Sequence, residues 1–482
     1  MRAYGWWAAL GLTLAAARLC HLEILWPEET LPLAAALQML DGRILYRDVW
    51  FDKPPLLPAA YLLEGARHGW GLRLAGALYV LIACRLMWRL GRRLWGEQEG
   101  RWAAALLAFY LTFWIPAAVV PLASDLLMLA PHVAAAWLAL EGRGLPAGVA
   151  AGVAFQISPK GLVVPAVCLL FARGGRLRVA AGFLLPALAV AGWLISHGAF
   201  RDYYHQVWEL GTTYARDTFL SNPLQEGLVR TANWAGFHLA LLAGSLVFWI
   251  RKGERHRGRI ALWALVAFCG VLLGWRFFPR YYFLLLPPLA AAAARGIVVM
   301  GQRRIVALAL MLIPLIRFGP RYVTLAADLA AGRPHAWRDI AMDQDSRAAA
   351  RFLRDRARAG DTLFVWGYRP ELYIYTQLAP ATRFLESQPL TGVFADRHLF
   401  QSQVSDQELA RTGRLELLRS RPVWLLDGLS PLNPRLAMES YPELRPWLAN
   451  YVFMGRTRMT LVYRRKELTF PATAAYASPK TP

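Results

Sequence analysis

Two adjacent glutamates, Glu28 and Glu29, stand where a first apolar run gives way to polar sequence. Ionisable groups at such a depth in a membrane are costly and usually functional. A carboxylate there is able to take a proton from an acceptor hydroxyl or to hold a divalent cation, although paired acids also simply mark the end of a helix. The stretch WPEETLPLAAALQMLDGRILYRDVWFDKPPLLPAAYLL adds Asp41, Asp48 and Asp52, with Glu64 directly after it. A further acid, Asp125, follows the short segment PLAS, where N-capping is the alternative role and Ser124 competes for it. Cations accompany these acids: Lys53, Lys160, Arg276 and Arg280, the last followed by Tyr281. Ammonium and guanidinium groups bind phosphate oxygens through charge-assisted hydrogen bonds. Snorkelling to an interface is the competing role, strongest for Arg276. His205, in the aromatic stretch FRDYYHQVWELGTTYARDTFLSNP, is a candidate metal ligand.

The elements that must position these groups are apolar helices. Of 482 residues 56% are hydrophobic, with 20 Trp and a mean hydropathy of +0.31, which is membrane composition. Apolar runs of spanning length recur from about residue 5 to 319, and two shorter ones at 145–157 and 160–172 read as a hairpin. The N-terminal run, with one Arg before its apolar stretch, reads as an uncleaved first span. The four cysteines fall inside apolar segments, so no disulfide framework or Cys metal site is implied.

The net charge of +22 would suit a nucleic-acid partner, but its distribution points elsewhere. The connections 85–101, 141–144, 173–178, 251–259 and 295–304 hold 17 Lys and Arg against four acids, the bias of cytoplasmic loops. Parity then places 26–73, 120–124, 158–161, 198–231, 276–280 and everything after Pro320 outside. The count closes with eleven spans and a cytoplasmic N-terminus in the cytoplasmic (inner) membrane. All the candidate acids and cations fall on the outer face. The same parity requires the apolar stretch Pro54 to Gly65 to lie flat or re-enter, with Glu29 to Leu40 as a second interfacial helix.

From about Asp343 the pattern becomes soluble. A charged helix at 346–358, strands at 362–366 and 422–427, a helical RPELYIYT and a hairpin with Gly455 in its turn predict a small α/β domain. The expected divisions are a membrane domain at 1–320, a linker at 321–345, the α/β domain at 346–466 and a disordered tail at 467–482.

The acid pair Glu28-Glu29, DGRILYRD, FDKPPL at 51–56, Asp125, SPKG at 158–161 and PRYYFLLLPP at 279–288 resemble the GT-C superfamily of integral membrane glycosyltransferases. The resemblance covers about the first 320 residues. It lies toward the bacterial branch that holds the lipid A aminoarabinose transferase and relatives of the protein O-mannosyltransferases. It implies transfer of a sugar from a polyprenyl-phosphate carrier to a glycan, lipid or protein acceptor at the outer face, with no nucleotide. It assigns Glu28 as the catalytic acid of the first loop, Asp125 as the acid of the second, Lys53 to the phosphate, and Asp52 to a metal that His205 would complete. This chain has Glu-Glu where Asp-Glu is usual in that branch, a difference of one methylene in reach. Other readings are a transporter or flippase of lipid-linked sugars, against which stands the lack of an internal repeat, and a non-catalytic subunit of glycan assembly.

Overall fold

The computed structural model describes residues 2–172, 174–216, 218, 220–335, 337–399 and 407–466. The tail expected at 467–482 lies outside the described residues. Chain contacts divide the protein into two compact units, Met1–Gln344 and Asp345–Pro482.

The first unit is helical. Among the described residues five helices are long and apolar enough to cross a membrane: Trp70–Leu94, Arg176–Ser196, Arg257–Trp275, Pro279–Val299 and Gly301–Ala330. A sixth span forms if Pro223–Phe237 and Leu239–Ile250, bent by 88° at the break, count as one. Eleven apolar runs therefore do not become eleven unbroken helices. Several arrive as short pieces, such as Ser124–Leu127 followed by Leu129–Leu140. Broken helices at membrane depth are tolerated where protein satisfies the freed backbone groups. Helix Arg304–Ala330 runs on past Pro320, through the first part of the expected linker.

Small residues set the helix spacing. A Cβ on Gly148 would lie 2.1 Å from the carbonyl oxygen of Val179, and one on Gly182 would lie 2.2 Å from that of Leu145. Helices Gly144–Ile157 and Arg176–Ser196 thus meet backbone to backbone, as membrane helices do through small residues.

Ion pairs sort the connecting segments into two sets. Arg93 reaches Glu141 at 2.7 Å, and Arg295 reaches Glu99 at 2.7 Å and Glu254 at 3.0 Å, joining four of the five basic connections. The fifth joins them through backbone contact, since a Cβ on Gly144 would lie 3.0 Å from the Gly175 carbonyl. Separately, Glu28, Asp125, Lys160 and Arg280 pair among themselves. The grouping matches the division that loop charge predicts.

Two elements expected at the interface differ in character. Leu56–Leu62 is a seven-residue helix, about 10 Å long and far too short to span. Pro27–Leu40, expected to lie in the interface, is buried over Glu29–Ala36 and at Gln38, so it packs inside the protein.

The second unit carries a five-stranded sheet of order β2-β1-β3-β5-β4, formed by β1 (Thr362–Trp366), β2 (Ala379–Pro380), β3 (Trp424–Asp427), β4 (Tyr451–Arg456) and β5 (Leu461–Arg465). Strands β1, β2 and β3 are parallel, while β5 runs antiparallel to β3 and β4. Leu363 to Trp366 and Trp424 to Leu426 are buried without alternation, as strands covered on both faces are. Gly455 is not in the hairpin turn. It sits inside β4 at φ 146°, where the pairing shifts register between Phe453 and Gly455, and the turn itself closes from Thr457 N–H to the Thr460 carbonyl. Left-handed backbone at a bulge favours glycine, and a turn-based reading of the residue misses this use.

Candidate active site

The site begins at the N-terminus of helix Pro27–Leu40. Pro27 presets the first helical φ, and the Glu29 carboxylate reaches back to accept the Trp26 N–H at 3.0 Å. Glu29 is fully buried, and Arg73 grips it with two nitrogens, Nη2 at 2.6 Å and Nη1 at 3.0 Å. Arg73 also donates to the carbonyls of His21 and Ile24. Glu29, a sequence candidate for chemistry, thus has all its visible partners in the frame of the protein. Arg73 escaped notice in the sequence, because an arginine at a helix start carries no local signal of a partner 44 positions away.

Glu28 is turned by about 100° from Glu29 around the helix. Its side chain keeps 31% exposure, and its Oε1 lies 2.5 Å from Arg280 Nη1. Pro279 opens a 3-10 turn, Pro279–Leu285, that presents Arg280. The approach to it is strained, with positive φ at Trp275 and Phe277 as well as at Gly274. Non-glycine residues in that region cost about 1–3 kcal/mol each and persist where the surroundings hold them. Here Arg276 is buried with its guanidinium 3.5 Å from the centre of the Tyr214 ring, and its carbonyl accepts from Arg230 at 3.1 Å. Arg276 is therefore packed within the protein, which excludes the snorkelling role.

Asp125 lies within the turn Ser124–Leu127, whose N-cap is Ala123 with no side-chain cap, so neither Asp125 nor Ser124 serves as one. The segment before it is anchored by Arg18 donating to the Val119 carbonyl at 2.7 Å and by the Tyr61 hydroxyl donating to the Leu122 carbonyl at 2.9 Å. Nearly buried, the Asp125 carboxylate takes Arg280 Nε at 3.3 Å on one oxygen and Lys160 Nζ at 3.2 Å on the other. Lys160 sits in the turn between two apolar helices. Gly161 next to it lies so close to Ala154 that a Cβ would come within 2.5 Å of the Ala154 backbone. The Lys160 ammonium rests on the Tyr281 ring, and Tyr281 hydrogen-bonds Tyr214.

The result is an alternating chain, Glu28–Arg280–Asp125–Lys160, drawn from four separate segments. Two carboxylates balance two cations, and each cation is desolvated enough for its field on a phosphate oxygen to exceed its value in water.

Lys53 and Asp52 stand apart from this chain. Lys53 Nζ lies 3.1 Å from Asp52 Oδ1, and among the described residues it makes no ion pair with Glu28 or Asp125. The FDKPPL loop is latched by Gln206, which accepts from Phe51 N–H at 2.9 Å and donates to the Tyr46 carbonyl at 2.8 Å. Gln206 belongs to a π-helical turn, Tyr204–Glu209. In the same turn His205 pairs with Glu209 and is also contacted by Arg201. Among the described residues no group of three His, Cys, Asp or Glu side chains is arranged to hold a metal. Asp52 and His205 thus form no ligand set together with a third donor.

The model of glycosyltransferase family 87 matches residues 54–279, a span that includes Asp125 and Lys160. No curated protein matches the chain. Solved structures do. ArnT from Cupriavidus metallidurans bound to undecaprenyl phosphate is similar over 99% of this chain and 100% of that one, at a TM-score of 0.63 and 15% identity. The Archaeoglobus fulgidus oligosaccharyltransferase in its apo form is similar over 97% of this chain and 75% of its own, at 0.51 and 13%. The arabinofuranosyltransferase AftD from Mycobacteria is similar over 96% of this chain but 40% of its own, at 0.52 and 15%. At these identities the structures share the fold, and the family model adds the glycosyltransferase signature. This multi-pass membrane protein thus shares the fold of these glycosyltransferase structures, and the stretch that holds Asp125 and Lys160 matches glycosyltransferase family 87.

Proposed function

We propose that the protein transfers a sugar from a polyprenyl-phosphate carrier to a glycan, lipid or protein hydroxyl at the outer face of the cytoplasmic membrane. The observation that carries this reading is the chain Glu28–Arg280–Asp125–Lys160, on the side opposite the arginine-rich connections. Glu28, the more exposed carboxylate, accepts the proton of the acceptor hydroxyl as that oxygen attacks the anomeric carbon. The sugar–phosphate bond breaks, and the electron pair leaves with the lipid phosphate. Arg280 and Lys160 stabilise the charge that grows on the departing phosphate, and Asp125 holds both cations in place. Lys53 and Asp52 would act at the rim, and Tyr281 orients Lys160. No step is assigned to a metal.

The undecaprenyl phosphate in the ArnT structure supports a carrier of this kind. In this reading residues 1–320 form the catalytic membrane domain, with the N-terminus inside and the α/β domain of 346–466 outside. The reading is tested by comparing glycolipids and glycans from cells that lack the gene, cells complemented with it, and cells complemented with Glu28→Gln. A sugar-bearing species lost on deletion should return with the native gene only. Its return with Glu28→Gln removes the catalytic role, and an unchanged glycan and glycolipid profile on deletion removes the function.

A further inference from the structure

A second charged site lies at the far end of the helix that carries Arg73. Arg73 and Arg93 are 20 positions apart on Trp70–Leu94, about 30 Å along the axis, which is the thickness of a bilayer core. Beside Arg93 opens a cavity of about 770 Å³ lined by Arg93, Glu254, Arg255, His256, Arg257 and Arg259. Its volume falls within the range of small-ligand clefts, roughly 300–1,000 Å³, and far exceeds the needs of one free phosphate.

Much of the basic charge on this side is already matched. Arg93 pairs with Glu141, Arg295 with Glu99 and Glu254, Arg251 with Glu254, and Arg85 and Arg92 lie over the Trp88 ring. Glu254 lines the cavity, yet its carboxylate is held by Arg295 and Arg251. Arg255 and Arg259 make no ion pair or ring contact among the described residues, and Arg257 donates only to the carbonyls of Trp249 and Arg251. Three guanidiniums therefore converge on one cavity without a counter-charge. The first turn of Arg257–Leu272 adds to this imbalance, with no acid and no side-chain cap.

The surroundings select the kind of anion. The cavity lies between the end of Leu239–Ile250 and the start of Arg257–Leu272, and these helices expose Leu246, Ile250, Leu262 and Leu265. Guanidiniums at one end with an exposed apolar wall beside them match a phosphate joined to acyl chains. We propose that this cavity binds the phosphate headgroup of an anionic phospholipid, on the membrane face opposite the Glu28–Arg280 cluster. The guanidiniums provide bidentate contacts to the phosphate oxygens, and the exposed leucines and isoleucine take the chains.

The test uses the full-length protein in mild detergent, with bound lipid counted by native mass spectrometry. The native protein should retain phosphatidylglycerol in preference to phosphatidylcholine. The triple variant Arg255→Lys, Arg257→Lys, Arg259→Lys keeps the charge that sets topology and removes the planar fork. It should retain phosphatidylglycerol at least fivefold less, while Arg333→Lys, remote from the cavity, retains it as the native protein does. Equal retention by the triple variant overturns the proposal. Displacement of phosphatidylglycerol by millimolar inorganic phosphate also overturns it, since the site would then be one for free phosphate. If the triple variant does not purify, the three single variants are read in the same way.

Discussion

Arg280 Nη1 lies 2.5 Å from Glu28 Oε1 across 252 positions of sequence, and the same guanidinium reaches Asp125 at 3.3 Å. One planar cation thus bridges two acids from separate segments of the chain. A lysine has one nitrogen in place of the spaced fork that meets Glu28 through Nη1 and Asp125 through Nε. Arg280→Lys should lower transfer from a lipid-phosphate sugar by at least tenfold, with each lost charge-assisted hydrogen bond worth about 1.5–3 kcal/mol. Activity in membranes equal to that of the native protein would remove the bridge from the mechanism.

The two adjacent glutamates should separate by phenotype. Glu29→Ala leaves Arg73 buried without its carboxylate, a change that costs about 3–5 kcal/mol. Glu28→Ala opens a partly exposed pair and should change stability by less than about 1 kcal/mol. Melting of the purified variants reads the difference. Equal melting temperatures for the two would contradict the division.

Acid should loosen the α/β domain through Asp345. Burial raises its pKa, but hydrogen bonds from Thr460 and Thr457, the Arg369 guanidinium and the Met459 N–H together hold it below the ordinary 3.8. A carboxylate with a depressed folded value contributes stability above its unfolded pKa and loses it as pH falls through the folded value. Hydrogen exchange at β1 and β5 should therefore accelerate as pH drops below about 4, beyond the intrinsic pH effect. Asp345→Asn should be less stable at pH 7 and show a weaker acid dependence, and an unchanged acid profile would refute the assignment.

Topology is testable without any enzymology. A reporter fused after Arg255 should be cytoplasmic and one fused after Pro482 external. The reverse pair of results would overturn the orientation drawn from the arginine-rich connections.

Much of the site is legible in sequence because charge in an apolar chain is conspicuous. Glu28, Asp125, Lys160 and Arg280 each stand at the end of an apolar run, and the structure brings the four side chains together. The pairing is not legible: nothing near Lys160 says that its partner is Asp125 rather than Asp52. Arg73 and Arg18 were hidden for the same reason, since their partners are a distant carboxylate and a distant backbone carbonyl. Lys53 shows the converse, a conspicuous cation whose visible partner is its own neighbour. The strands of the α/β domain were legible from their apolar runs, but the bulge at Gly455 was not, because a glycine serves turns and bulges alike. Helix breaks within the apolar runs, such as that between Ser124–Leu127 and Leu129–Leu140, were not legible, because hydropathy does not register where a helix breaks.

In the proposed mechanism Glu28 takes the acceptor proton. The most direct measurement is the rate of sugar transfer from a polyprenyl-phosphate donor pool in membranes containing the Glu28→Gln variant, beside its melting temperature. Gln keeps the shape and a hydrogen-bond acceptor for Arg280 but has no basic oxygen. A rate reduced by about 10²–10⁴ with melting unchanged is the predicted result. A rate within twofold of the native protein would contradict it.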